Sequence, residues 1–331
     1  MMKRMRKILI SDRTHEVLPA RLREAGFEVS VEPDHDYESL VRAAQGCEGL
    51  VVRSKVEIDK AFIDRVLGSS PCQGEGDSKG GGVLRCIGRV GAGMETIDVD
   101  YAEAHGIRCL NSPEGNRDAV GEHAVGLLLA LLNNIARADG EVRRGLWQRE
   151  ANRGVEVGGK VVGIIGFGNM GQAFAKRLAG FGCHILVYDK YKDLKDLSGL
   201  KVCSTIEELQ AEADVVSFHV PLTEETRHYL DSEFIAAMRK PFYLINTARG
   251  AVVDTEALVV GMESGKVIGA ALDVLEYENM KADGLADVPA SMRYLMESPR
   301  TVLTPHVAGW TVESKYKLAA VLADKMIEVL K

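Results

Sequence analysis

The 331-residue chain has six cysteines, at positions 47, 72, 86, 109, 183 and 203, and no two are closer than 14 residues. There is no Cys-x-x-Cys, so neither thioredoxin chemistry nor a cysteine-rich metal site is expected. Cys86, Cys109, Cys183 and Cys203 lie in or beside strand-like segments, which predicts small buried side chains rather than disulfides. Long apolar runs are missing too. The longest, 124–132, has nine residues and is too short to span a bilayer. The basic start Met1-Met2-Lys3-Arg4 is followed only by Ile8-Leu9-Ile10, too little for a signal-peptide core. The expectation is a cytoplasmic protein with reduced thiols and no membrane partner. Nor is there a basic excess: 41 Lys and Arg against 48 Asp and Glu give −7, which speaks against a nucleic-acid partner.

What is present is an ordinary soluble balance, 46% hydrophobic and 27% charged, in a chain long enough for two domains. Strand-like and helix-like segments alternate throughout. The first series has strands over 7–12, 27–31, 49–53, 84–89 and 107–111, with a helix over 15–25. A second series has six strands over 161–167, 184–188, 215–220, 242–245, 267–274 and 301–303, with helices over 169–181 and 255–264. This pattern predicts α/β architecture with parallel sheets covered on both faces. Between the series, 119–137 reads as one long helix, apolar nearly all round and so buried at a domain or subunit interface. Ordinary domain packing is its plainer reading. A last helix over 312–331 carries Leu318, Leu322, Met326 and Val329 on one stripe. Residues 68–82 hold six glycines and read as a surface loop, since no Lys-Ser/Thr follows in P-loop register.

The segment Val161-Val162-Gly163-Ile164-Ile165-Gly166-Phe167-Gly168-Asn169-Met170-Gly171 joins an apolar strand to Gly-x-Gly-x-x-Gly and a helix start. Gly166 permits a tight turn, Gly168 a close approach of backbone to a pyrophosphate, and Gly171 close helix–strand packing. The helix N-terminus supplies N–H groups to the anion. Asp189 follows Gly171 by 18 residues, about where an acid binds the ribose hydroxyls. A carboxylate there favours NAD over NADP, with Lys190 and Lys192 pulling the other way.

Three ionisable residues lie just past three successive predicted strand ends: Arg249, Glu278 and His306. Ligands of open α/β sheets bind at such ends. Arg249 offers a planar fork to a carboxylate and polarises the neighbouring carbonyl. His306 exchanges the proton, and Glu278 holds the imidazole in one tautomer and favours its cationic form. The set suits hydride transfer to and from a 2-hydroxy acid. Arg53-Ser54-Lys55 follows a first-series strand and brings two cations and a hydroxyl, as a phosphate would require.

The chain resembles the D-isomer-specific 2-hydroxyacid dehydrogenases nearly end to end. The resemblance is carried by Val51–Ser54, Gly88–Gly93, Asn111–Asn116, the Gly166 fingerprint, His219–Thr223, Asn246–Gly250 and Pro305-His306. It implies a Rossmann NAD domain, 113–307, inserted into a flavodoxin-like substrate domain built from 1–112 and 308–331, both doubly wound. The active site would lie in the cleft. It implies that Arg53, Ser54, Lys55, the amides of Gly91, Ala92 and Gly93, Asn116, Arg249 and His306 bind the substrate. The implied NAD site comprises Gly166, Phe167, Gly168, Asn169, Met170, Gly171, Asp189, His219, Val220, Pro221, Thr226, Thr247, Ala248, Arg249, Asp273, His306 and Gly309, with Asp273 toward the nicotinamide amide. The implied partner is a small anionic 2-hydroxy or 2-oxo acid. 3-Phosphoglycerate comes first, and hydroxypyruvate or glyoxylate reduction and an NAD-sensing corepressor role are the alternatives. A homodimer through 119–137 is also implied, with no metal. Residues 279–300 replace a shorter proline-rich stretch of the family. That leaves Glu276 beside Glu278 as candidate acid, and alignment with the family's Asp-Val-Phe stretch favours Glu278. One helix ends the chain, where longer members carry a regulatory domain, so control through such a domain is not expected.

Overall fold

The computed structural model describes residues 6–68, 83–195, 197–278 and 288–331. The expected loop at 68–82 lies, but for Gly68, outside them. The chain divides into two units, 1–116 with 310–331, and 117–309.

The first unit contains β1 (Lys7–Ile10), α1 (Val17–Glu24), β2 (Glu28–Val31), α2 (Tyr37–Ala44), β3 (Gly49–Val52), α3 (Lys60–Leu67), β4 (Cys86–Arg89), α4 (Val99–Ala104) and β5 (Arg108–Leu110). Its sheet is parallel, in the order β2-β1-β3-β4-β5. Side chains of Asp36, Asp59 and Asp98 cap α2, α3 and α4 by accepting from amides three residues on.

The second unit begins with α5 (Arg117–Leu132) and α6 (Ile135–Arg143). It continues through β6 (Val161–Ile165), α7 (Asn169–Leu178), β7 (His184–Tyr188), β8 (Lys201–Val202), α8 (Ile206–Glu212), β9 (Val215–Phe218), α9 (Ser232–Ala237), β10 (Phe242–Asn246), α10 (Thr255–Glu263), β11 (Val267–Leu272), α11 (Ala290–Glu297) and β12 (Thr301–Leu303). The sheet is parallel, β12-β11-β10-β9-β6-β7-β8. Chain order reverses between β6 and β9, and that switch point is where such sheets take ligands. The last helix, α12 (Val312–Leu330), returns to the first unit.

Several expectations are corrected. The second sheet has seven strands rather than six, because β8 is two exposed residues with no apolar run to announce it. The helix expected over 119–137 stops at Leu132: Asn134 adopts a left-handed conformation (φ 54°), and α6 leaves at 63°. Within the second unit α5 buries Ala124, Leu127, Leu128, Leu131 and Leu132, so much of its apolar surface is consumed by ordinary packing. On α12 the fully buried stripe is Leu322, Met326 and Leu330, while Val329 is only partly buried. Cys86 and Cys203 are buried as expected, but Cys109 and Cys183 only partly.

The unit boundaries fall at 116 and 309 rather than 112 and 307. Residues 113–115 form a 3-10 turn held to α12, where Lys325 Nζ donates to Asn111 O and the Glu114 carboxylate at 2.9 Å. Val307 and Ala308 stay with the second unit because their amides donate to Asp273. Of the unusual 279–300 stretch, residues 290–297 form α11, and 279–287 lie outside the described residues. No single helix among the described residues is long and apolar enough to cross a membrane.

Candidate active site

In the second unit the chemistry-bearing residues follow the carboxyl ends of strands. The β6–α7 turn shows why glycine is required. Gly166 has φ 89°, and a Cβ there would approach the His219 carbonyl oxygen to 2.7 Å. A Cβ on Gly171 would run into the Gly166 carbonyl oxygen. Around Gly168, by contrast, a Cβ would meet nothing, leaving open space beside the N-terminus of α7. An anion fits there.

At the end of β7, Asp189 Oδ2 accepts from Phe167 N at 2.7 Å. Its Oδ1 accepts from Tyr191 N and Lys192 N at 3.1 Å. The carboxylate thus fastens the glycine turn to the neighbouring strand end. Lys190 and Tyr191 both bond Glu225, and Lys192 Nζ donates to Phe167 O at 3.1 Å. Both lysines have protein partners.

After β9, His219 is buried with Nε2 2.9 Å from Ser217 Oγ, and Nδ1 has no partner. Burial pushes its imidazole down to about 3, so it is neutral at ordinary pH. Thr226 Oγ1 donates to Pro221 O at 2.6 Å and accepts from Thr223 N, closing its own loop.

After β10, Asn246 Oδ1 accepts from Ala248 N at 3.0 Å and its Nδ2 donates to Arg249 O at 2.9 Å. This fixes the turn bearing Thr247, Ala248 and Arg249. Arg249 Nη1 donates to Ala248 O at 2.7 Å. Thr247 Oγ1 is buried and unpartnered, like His219 Nδ1. Two unsatisfied polar atoms at one sheet edge suit a polar ligand.

His306 Nδ1 and Glu278 Oε1 are 2.9 Å apart, and Glu278 Oε2 accepts from Leu275 N at 3.2 Å. A carboxylate only accepts, so Nδ1 carries the proton in this pair and Nε2 is the nitrogen left to exchange one. Glu276 is engaged elsewhere, with His228 Nε2 at 2.6 Å and Thr255 N at 3.0 Å. The partner of His306 is therefore Glu278.

Asp273 follows the end of β11. It is 1% exposed and turned into the 304–308 segment rather than outward. Its Oδ1 accepts from Thr304 Oγ1 (2.6 Å) and Val307 N (2.9 Å), and Oδ2 from Ala308 N (2.8 Å). Its backbone oxygen accepts from His306 N at 2.7 Å. Burial pushes the carboxyl up, but His123, Thr304 and these amides together hold it below the usual carboxylate range. Its contacts brace the His306 turn. His123 and Thr304 were not foreseen; the one signal was a lone histidine inside the apolar stretch of α5.

In the first unit, Arg53 N donates to Asp12 Oδ2 at 2.8 Å and its guanidinium lies 5.0 Å from the Trp310 ring centre. Lys55 Nζ donates to Pro33 O at 3.3 Å and lies 3.9 Å from Asp34 Oδ1, and Ser54 is exposed. Gly91 has φ 155°, with the Arg89 guanidinium filling the place of its Cβ. Ala92 O accepts from Asn111 Nδ2 at 2.6 Å, and Asn116 Oδ1 is buried without a partner. Among the described residues no group of three His, Cys, Asp or Glu could hold a metal ion.

Residues 125–308 match the profile of the "D-isomer specific 2-hydroxyacid dehydrogenase, NAD binding domain". The chain belongs to the D-isomer-specific 2-hydroxyacid dehydrogenases. It is 35% identical to D-3-phosphoglycerate dehydrogenase of Methanocaldococcus jannaschii over 99% of this chain, which spans only 58% of that protein's length. It is 36% identical to hydroxypyruvate reductase of Thermotoga maritima over 92% of each. The structure of Aquifex aeolicus D-lactate dehydrogenase with NAD and lactic acid matches with TM-score 0.77 and 26% identity, covering 98% of this chain and 94% of that one. The second unit is thus this dehydrogenase family's NAD-binding domain, and the cofactor is NAD.

Proposed function

We propose that the chain interconverts 3-phosphoglycerate and 3-phosphohydroxypyruvate, a reaction feeding serine biosynthesis. The observation that carries a 2-hydroxy acid reaction is the His306–Glu278 pair at 2.9 Å, on the same sheet edge as Arg249. When bound, NAD supplies the hydride acceptor and NADH the donor at the substrate's C2. Gly168, the N-terminus of α7 and Asp189 would hold its pyrophosphate and ribose, with Thr247 and His219 offering polar atoms nearby. In reduction, His306 Nε2 gives its proton to the carbonyl oxygen as C2 gains hydride. In oxidation the same nitrogen takes the hydroxyl proton. Glu278 keeps the Nδ1 proton in place and stabilises the imidazolium formed. Arg249 binds the carboxylate and stabilises negative charge on the reacting oxygen.

The finer choice of substrate rests on Arg53, supported by the likeness to the M. jannaschii protein. A second reading, reduction of hydroxypyruvate or glyoxylate, is favoured by the turn of Lys55 onto Pro33 O, which removes one phosphate cation. It is also favoured by the match along nearly the whole T. maritima protein. Steady-state kcat/KM for 3-phosphohydroxypyruvate, hydroxypyruvate and glyoxylate with NADH separates the two. The phosphorylated acid should win, and Arg53→Ala should cost it about ten- to a hundredfold and the others less. Equal use of all three by the wild type would leave the reductase. His306→Ala should lower kcat by roughly 10²–10⁴-fold with NADH affinity unchanged, and near-normal turnover would remove the proton role.

A homodimer is part of this proposal. Ile135, Val142, Leu146 and Trp147 are exposed in and just after α6, with Trp147 77% exposed, an apolar group suited to a second copy. Light scattering should give twice the 36.0 kDa chain mass, and Trp147→Glu should halve it.

A further inference from the structure

We infer that His123 is a positioning residue for His306, acting through the Thr304 hydroxyl on the turn that carries it. The inference rests on His306 being the proton carrier proposed above. His306 has φ 55°, a left-handed conformation that a histidine adopts only where its surroundings impose it. The imposing group is Asp273, which grips the turn by four bonds, from Thr304 Oγ1, Val307 N, Ala308 N and His306 N, with His123 Nε2 of α5 3.4 Å from its Oδ1.

The proton order in this chain follows from donor counting. The Asp273 carboxylate is ionised and accepts only. Thr304 has one hydroxyl hydrogen, and at 2.6 Å it goes to Asp273 Oδ1. Thr304 Oγ1 can then only accept from His123 Nε2, 3.1 Å away. His123 must therefore carry a proton on Nε2. The direction is His123 Nε2–H to Thr304 Oγ1–H to Asp273 Oδ1. His123 stands on α5, whose buried face is packed into the domain core, so the relay ties the His306 turn to a rigid element. Without it, Thr304 Oγ1 loses its donor beside the buried Asp273 carboxylate, and the turn loses its anchor on α5.

A misplaced proton carrier lowers turnover without touching cofactor affinity, and small misplacements are expensive. His123→Leu removes the donor, and Thr304→Val removes the link while keeping its shape. Each should lower kcat by about ten- to a hundredfold, shift the pH midpoint of kcat, and leave the NADH dissociation constant within about twofold. His123→Gln keeps a nitrogen donor at similar reach and should recover most of the turnover. Long-range 1H–15N spectra of the wild type should show His123 protonated on Nε2. Wild-type kcat and pH profile in Thr304→Val, which conserves volume and fold, would overturn the inference, as would an Nδ1–H tautomer of His123. An inactive His306→Ala beside normal His123 and Thr304 variants would count against the relay alone. An active His306→Ala would instead remove the underlying proton role.

Discussion

At the scale of single residues, the site separates side chains that act from those that hold them. His306 and Glu278 form a pair whose geometry leaves Nε2 for proton exchange, while Asp273, Asn246 and Asp189 accept from backbone amides. His219 is a different case, a buried imidazole kept neutral by lack of water. Its folded value, about 3, lies well below the roughly 6.5 of the unfolded chain. Between those values the unfolded chain binds the extra proton. Stability from this residue is therefore present above about pH 6.5 and lost progressively as pH falls toward 3, by about 1.4 kcal/mol per unit at most. Urea unfolding of wild type and His219→Gln at pH 7, 5.5 and 4.5 tests this. The wild type should lose stability faster on acidification, and parallel curves would show that His219 does not carry the effect.

At the scale of elements, the β6–α7 junction makes two glycines of one motif do opposite work. Gly171 has no room for a methyl group, because the Gly166 carbonyl oxygen occupies its place. Gly168 has room to spare. Gly171→Ala should thus destabilise the fold by about 1–3 kcal/mol, the usual cost of overpacking. Gly168→Ala should leave stability unchanged yet weaken NADH binding, since the methyl group would stand where the pyrophosphate approaches. Denaturant midpoints and NADH fluorescence titrations of the two variants should diverge in this way. A Gly168→Ala protein that binds NADH normally would show that the backbone there does not meet the cofactor.

At the scale of the whole molecule, the cofactor domain is a unit with its own sheet and its own buried clusters. A ligand that binds only the folded unit stabilises it by mass action, about 2.7 kcal/mol at a hundred times its dissociation constant. Asp189 would repel a 2′-phosphate, and Lys190 is paired with Glu225. NADH should therefore raise the thermal midpoint more than NADPH at equal concentration. Equal shifts would mean that Lys190 or Lys192 turns to the phosphate.

Much of this was legible in the chain itself. Alternating apolar segments named two parallel sheets, since a strand buried on both faces must read as a continuous apolar run. The glycine spacing, Asp189, and the Arg249, Glu278 and His306 positions past strand ends were local facts, and the cofactor class followed from them. Tertiary structure alone decided other matters. The break at Asn134 depends on one backbone conformation within a helical sequence. Strand β8 exists because β7 offers it an edge. Glu276 and Glu278, two residues apart in one acidic stretch, were separated only when His228 took the first and His306 the second. Asp273 turned inward because three donors from the 304–308 segment converge on its buried carboxylate, with His123 of α5 3.4 Å away. Local sequence determines which residues can bear charge or make a turn, but which of them meet depends on contacts between segments that no local pattern encodes.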